Sequence, residues 1–426
     1  MPIPPCGTLL AAHRPEELNQ RWLIIENQQI YERSKEMKKA MLTITTIAAV
    51  TGLCLVGMVS AEDKTPVSEK KPLVQMAILL DTSGSMSGLI DQARAELWAI
   101  VNEFIFAKRN GQEPELRVAL YEYGKSSLAK EDGYIRQIIP LTTDLDKVSE
   151  ELFALRTNGG AEYCGWVIKE ATQSLTWSDS PDDLKVIFIA GNEPFTQGPV
   201  DYREACKTAI AKGIIVNTIH CGSEGAGLDG KWKDGAVLAD GQYLNIDQNR
   251  QTVHIAAPQD TEIAELGRRL NETYIAYGLR GDIARERQSV QDRNAATASK
   301  EAALQRAVAK SSPYYRNEAW DLVDALATKN IKLEELKAKD LPENMQKMTP
   351  EERKAYIDTQ AKNRTEIQNR IQQLNEQRKN YVAQEIKKRQ KEGSTLGSAI
   401  IQAIRQQAKK RNFSFESSDS SSKKTE

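Results

Sequence analysis

The stretch from Leu73 to Met86 constrains this chain more than any other. Leu73 to Leu80 run without a charge and end on Asp81-Thr82-Ser83-Gly84-Ser85-Met86. An amphipathic pattern follows at once, with Leu89, Ala93, Leu97, Ile100, Val101 and Phe104 at helical spacing. A short apolar run closed by small, turn-forming residues reads as a buried strand. A strand that feeds a helix directly opens a βαβ unit. The turn between them carries a carboxylate and two hydroxyls at i, i+2 and i+4. Asp81, Ser83 and Ser85 thus make an oxygen cluster of the kind that hard divalent ions such as magnesium take as ligands.

The same alternation continues to about residue 280. Strands are predicted at Leu116–Tyr123, Tyr134–Ile139, Leu184–Ala190, Ile214–His220 and Gly241–Ile246. Helices are predicted at Gly88–Lys108, Tyr163–Trp177, Tyr202–Lys212 and Asp260–Tyr274, with a short helix behind a capping box at Thr143–Asp146. The segment between Tyr123 and Tyr134 is too short for a crossover helix, so those two strands pair antiparallel. The fold class is α/β: a doubly wound, mostly parallel sheet with one antiparallel edge strand, followed by an α-helical extension.

Asp81-x-Ser83-x-Ser85, placed after an apolar strand and before an amphipathic helix, resembles the metal-ion-dependent adhesion site of von Willebrand factor type A domains. Asn158-Gly159-Gly160-Ala161-Glu162, Ala190-Gly191-Asn192-Glu193-Pro194-Phe195 and Trp232 through Tyr243 resemble bacterial members. The resemblance covers residues 73–280. It implies a binding crevice at the carboxyl ends of the strands, where such sheets place ligands. It also implies a magnesium ion with one open position, filled by an acidic side chain of a protein partner.

Two departures bear on that site. After the glycine pair the family places a threonine or an acidic residue; here Ala161 and Glu162 follow, which makes Glu162 the candidate and Thr157 a weaker one. At the end of the Leu184–Ala190 strand the usual aspartate is Gly191, and Glu193, or a water held by Asn192, would replace it. The expected metal set is therefore Asp81, Ser83, Ser85, Glu162 and Glu193. A structural alternative has Ser83 and Ser85 bonding only to the loop, with no metal. His220 ends a neighbouring strand and invites a serine–histidine hydrolase reading, but no Gly-x-Ser-x-Gly elbow accompanies it. Of five cysteines, Cys164, Cys206 and Cys221 lie in this region; one disulfide, 164–221 or 206–221, is expected, against three packed thiols.

Upstream, residues 41–61 carry no charge, follow Lys38 and Lys39, and end Val59-Ser60-Ala61. Read from Met37 this is a secretory signal; uncleaved, it is long enough to be a membrane-spanning anchor. Residues 1–36 are then a leader, in one reading untranslated, and 62–72 a linker. The chain is expected in the periplasm, secreted, or anchored in the inner membrane through residues 41–61. A net charge of −1 argues against nucleic acid as partner.

Residues 281–412 are charge-rich and helical by pattern. Asp282–Lys310 reads as one helix stopped by Pro313. Thr349-Pro350-Glu351-Glu352 starts a long one, whose stripe of Ile357, Ile367, Ile371, Leu374 and Tyr381 is interrupted by Gln360, Arg364 and Arg378. A loose coiled coil and packing within the chain both fit. Leu396–Lys410 is a last short helix, and 413–426 a disordered tail. The functional expectation is a non-catalytic protein-interaction module of the cell envelope that binds through magnesium. Its alternative is a structural or assembly scaffold with an empty metal loop.

Overall fold

The computed structural model describes residues 71–104, 107–249, 254–329, 331–388 and 395–415. The leader, the signal or anchor segment and most of the linker lie outside them, as do residues 416–426.

The strands are β1 (Leu73–Asp81), β2 (Ala107–Lys108), β3 (Glu115–Tyr123), β4 (Ile135–Thr142), β5 (Leu184–Gly191), β6 (Ile214–Cys221), β7 (Tyr243–Ile246) and β8 (Ser414–Phe415). Six form one sheet in the order β4-β3-β1-β5-β6-β7. Every pairing in it is parallel except β3 with β4. β1 and β5 are buried along their whole length, as the uncharged run predicts for a strand covered on both faces. Because side chains alternate, Val74, Met76, Ile78 and Leu80 enter one core and Ala77 and Leu79 the other.

The helices of the α/β part are α1 (Ser87–Glu103), α2 (Leu145–Ala154), α3 (Cys164–Ser174), α4 (Tyr202–Ala211), α5 (Glu224–Asp229), α6 (Trp232–Leu238) and α7 (Asp260–Asn271). Two of these, α5 and α6, have no counterpart in the sequence reading. α1 stops at Glu103, short of the predicted Lys108, because residues 107 and 108 pair with β8 instead. The cap of α2 is Asp144, whose carboxylate accepts from the Lys147 amide at 2.9 Å, rather than Thr143.

Beyond them come α8 (Gly281–Ala298), α9 (Lys300–Lys310), α10 (Leu322–Ala327), α11 (Glu343–Gln346), α12 (Pro350–Lys388) and α13 (Leu396–Lys410). The single helix expected over 282–310 is two. Ser299 is fully extended at φ −171° and caps α9 through its hydroxyl on the Ala302 amide. The capping box at the start of α12 is present, with reciprocal bonds between Thr349 and Glu352 of 2.8 and 3.2 Å.

α12 packs inside the chain, against α7, α9 and α10. The arginines that interrupt its apolar stripe are the reason. Arg364 is buried against Asp321 (2.6 Å), Asp324 (2.7 Å) and the Thr273 carbonyl. Arg378 joins Asp260 (2.7 Å) and Glu301. Arg306 of α9 sits between Asp146 (2.7 Å) and Asp292, with Trp98 4.6 Å beneath its guanidinium. α13 returns to the sheet and lies on α1, β5, β6 and β7. Its Leu396, Ile400, Ala403 and Ile404 complete the larger core.

Two sequence expectations are corrected here. Among the described residues no helix is long and apolar enough to cross a membrane; the segment for which one was expected, 41–61, lies outside them. Cys164, Cys206 and Cys221 are buried free thiols, not a disulfide pair and a remainder.

Candidate functional site

β1 and β5 lie side by side at the sheet's centre, and the chain leaves β1 in one direction and β5 in the other. Their carboxyl ends, Asp81 and Gly191, therefore border the crevice. The loop after β1 turns tightly, with the Met86 amide bonded to the Ser83 carbonyl at 3.1 Å. Asp81 is fully buried, and its Oδ1 accepts from the Ser83 amide at 2.7 Å. Its Oδ2 is buried with no hydrogen-bond partner. The Ser83 and Ser85 hydroxyls lie 3.4 Å apart, and the Asn192 amide donates to Ser85 at 3.3 Å.

The glycine-pair loop reaches this turn through its backbone, with the Asn158 amide bonded to the Thr82 carbonyl at 3.0 Å. It delivers Glu162, which is 6% exposed. The Glu162 amide donates to Gln197 Oε1 at 3.2 Å, and Gln197 Nε2 donates to Glu193 at 3.2 Å. Burial raises the Asp81 carboxyl to about 7, with the Glu162 charge adding to the rise against the Ser83 hydrogen bonds. Burial and then the Glu193 charge raise Glu162 to about 6. The predicted residues are thus neighbours, and they repel one another.

The metal expectation is corrected. Among the described residues no group of three or more His, Cys, Asp or Glu side chains is placed to hold a metal ion. The physical reason lies at Gly191. A Cβ there would stand 2.5 Å from the Tyr123 hydroxyl and 3.0 Å from Asp81 Oδ2. Tyr123 is itself pinned, donating to the Ala190 carbonyl at 3.0 Å. The space that an aspartate side chain would need there is filled by a buried phenol, so position 191 supplies no carboxylate to a metal ion. Gly124, at φ +80°, is the other close approach: a side chain there would strike Glu162 and Asp81 Oδ1.

Sequence reasoning missed Tyr123, Gly124 and Gln197. The first two were within reach: parallel strands end together, and Asp81 pairs in register with Tyr123. It also missed a partly exposed aromatic shelf beside Glu162. Tyr134 and Tyr163 meet edge to face at 5.7 Å, and Tyr163 and Trp166 lie parallel at 6.3 Å.

His220 does not build a hydrolase. Its Nε2 lies 3.3 Å from the Asn192 carbonyl and its Nδ1 3.0 Å from the Asn245 amide. Nε2 donates and Nδ1 accepts, which is the neutral tautomer, and burial lowers its pKa in the same sense. Trp232 packs edge-on at 5.7 Å. Both nitrogens are engaged by asparagine groups, and neither activates a serine.

Residues 75–229 match the family model described as von Willebrand factor type A domain. Among solved structures the chain is similar to BatB, a conserved hypothetical protein from Bacteroides thetaiotaomicron, at 19% identity over 41% of this chain and 90% of that one, TM-score 0.31. It is similar to the VWA domain of SpRpn10 at 19% identity, over 42% and 90% of the two chains, TM-score 0.32. It is similar to proximal thread matrix protein 1 from the mussel byssus, with a zinc-occupied MIDAS motif, at 10% identity over 42% and 43%, TM-score 0.32. The comparison with curated proteins gave no match.

Proposed function

We propose that this chain, a domain of von Willebrand factor A type with a helical region packed onto it, is a non-catalytic scaffold. It holds a protein partner at the carboxyl ends of its strands without a metal ion. The observation that carries the reading is the crevice itself. Asp81, Ser83, Ser85, Glu162 and Glu193 converge there, yet the carboxylate that would complete a metal site is replaced by Gly191 under the Tyr123 hydroxyl. Gly84 and Ser85 stand exposed at its lip. Domains of this family serve as protein-contact modules, and His220 offers no catalytic arrangement. The uncharged run after Lys38 and Lys39, ending in small residues, supports a place outside the cytoplasm.

A photo-crosslinking residue at position 85 of the full chain tests this in the cells of origin. A discrete adduct at Ser85, absent when the crosslinker replaces Lys410, is the expected result. The adduct should persist with chelator present, and magnesium titrated into the purified protein should give no binding heat. An adduct abolished by chelator would overturn the metal-free part. Equal adducts at both positions would overturn the site.

A further inference from the structure

The crevice has an electrostatic imbalance that the metal-free reading leaves unanswered. Glu162 and Glu193 lie close together beside the fully buried Asp81, and among the described residues none of the three is ion-paired. The nearby bases are engaged elsewhere: Arg136 and Lys125 both face the buried Glu122, at 2.5 and 3.7 Å. Asp81 Oδ2, on a fully buried side chain, has no hydrogen-bond partner. Carboxylates without a charge partner favour a cation, and among the described residues no group of three or more His, Cys, Asp or Glu side chains is placed to hold a metal ion that would supply one.

The aromatic shelf lies beside Glu162. Tyr163 follows Glu162 directly in the chain, and its ring lies against Gly198, one residue past Gln197, where a Cβ would stand 2.6 Å away. Trp166 lies one turn further on α3, against Gly133. Tyr134 reaches the group from a backbone at φ +56°, next to Gly133 at φ +73°. A left-handed conformation is an outlier for a bulky aromatic residue, and here it brings a third ring to the other two. All three residues are partly exposed. Partly exposed tyrosine and tryptophan beside carboxylates are what a guanidinium recognises: its flat face stacks on a ring while its N–H groups reach the acid.

We propose that this shelf and the Glu162–Glu193 pair bind an arginine-bearing segment of a protein partner. The proposal rests on the protein-contact reading above and names the chemistry of that contact. It reverses the charge expected of a partner that completes a metal site. Lys130, in the 3-10 turn Lys130–Asp132, and Lys169 on α3 are flanked by Glu131, Asp132 and Glu170, so the local charge there is close to balanced and Glu162 and Glu193 decide the sign.

The test uses the full chain and three fluorescent peptides, Ac-Gly-Arg-Gly-Arg-Gly-amide and its lysine and glutamate counterparts. Anisotropy is measured at low salt, with chelator and again with magnesium. The arginine peptide should bind most tightly, the lysine peptide more weakly and the glutamate peptide not at all, with no effect of magnesium. Glu162→Gln and Trp166→Leu should each weaken the arginine peptide about fivefold, as loss of one charge-assisted or cation–π contact does. Circular dichroism checks that both variants stay folded; Glu193→Gln is the substitute if either does not. Tighter binding of the glutamate peptide, no binding of any peptide, or unchanged binding by the folded variants would overturn the proposal. If the crosslink at position 85 forms while the arginine peptide fails, the contact face stands and only its charge preference falls.

Discussion

At the scale of single residues, one missing side chain decides the chemistry of the crevice. Gly191 leaves room for the Tyr123 hydroxyl against Asp81, and that phenol cannot swing away because both it and its acceptor are buried. Gly191→Ala should therefore destabilise the fold by about 1–3 kcal/mol, the usual cost of overpacking. In Tyr123→Phe the same substitution should cost less; urea denaturation of the four proteins in a double-mutant cycle measures both. Asp81 makes a second prediction. Its carboxyl is raised from 3.8 to about 7 by burial, so the folded state holds that proton more tightly than the unfolded chain does. Stability then falls as pH rises from about 4 to about 7, by on the order of 3 kcal/mol. Asp81→Asn should flatten that slope, and denaturation midpoints between pH 4 and pH 8 would show it; a parallel slope in both proteins would contradict the assignment. Asp81, Ser83, Ser85, Glu162 and Glu193 were expected from the sequence as a metal set, on the ground that strand ends in a doubly wound sheet share an edge. The phenol that fills the space beside Gly191 belongs to Tyr123, a residue that carries no motif.

At the scale of elements, pattern succeeds where one face must be apolar and fails where a charge is buried. The six strands of the sheet were legible from uncharged runs, and the antiparallel pair from the brevity of the Tyr123–Tyr134 connection. α12 was legible as a helix, while the choice between a loose coiled coil and packing within the chain stayed open, since Arg364 and Arg378 interrupt its stripe. Each is held by two carboxylates from other helices. Arg364→Met would leave Asp321, which is fully buried, without its charge partner, at a cost of about 3–5 kcal/mol. Arg268→Ala breaks pairs with Glu265 and Glu272 on an exposed helix face and should leave the denaturation midpoint unchanged, because solvent screens such pairs. Ser299 shows the converse limit. The alanine-rich pattern runs through it without a breaker, so only the turn made by α9 as it packs on α1 and α7 separates the two helices.

At the scale of the molecule, the last helix belongs to the first core. α13 covers β5, β6 and β7, and buried polar groups of the α/β part bond to it. Asn217 and Gln407 exchange amide hydrogen bonds, Gln92 and Glu96 accept from the Leu396 and Gly397 amides, and Glu103 pairs with Arg405. Deleting residues 395–426 would strip these partners away, take Leu396, Ile400 and Ile404 out of the larger core and uncover the apolar residues they pack against. The burial of those three side chains alone is worth roughly 5–9 kcal/mol, comparable to the whole stability of a domain. The shortened chain should lose its cooperative thermal transition, and so should a fragment ending at residue 280; a sharp transition in either would show that the sheet does not need α13.

The sequence by itself determined the doubly wound sheet, its one antiparallel pair and the helical extension that follows it. Periodicity and turn chemistry act over a few residues, and those features are local. Tertiary structure alone decided that a phenol fills the place of a ligand, that three cysteines remain thiols, and that residues 396–410 close a core begun at Leu73. Each of those outcomes depends on atoms brought together from distant parts of the chain, where volume and charge are settled by packing and no short stretch records them.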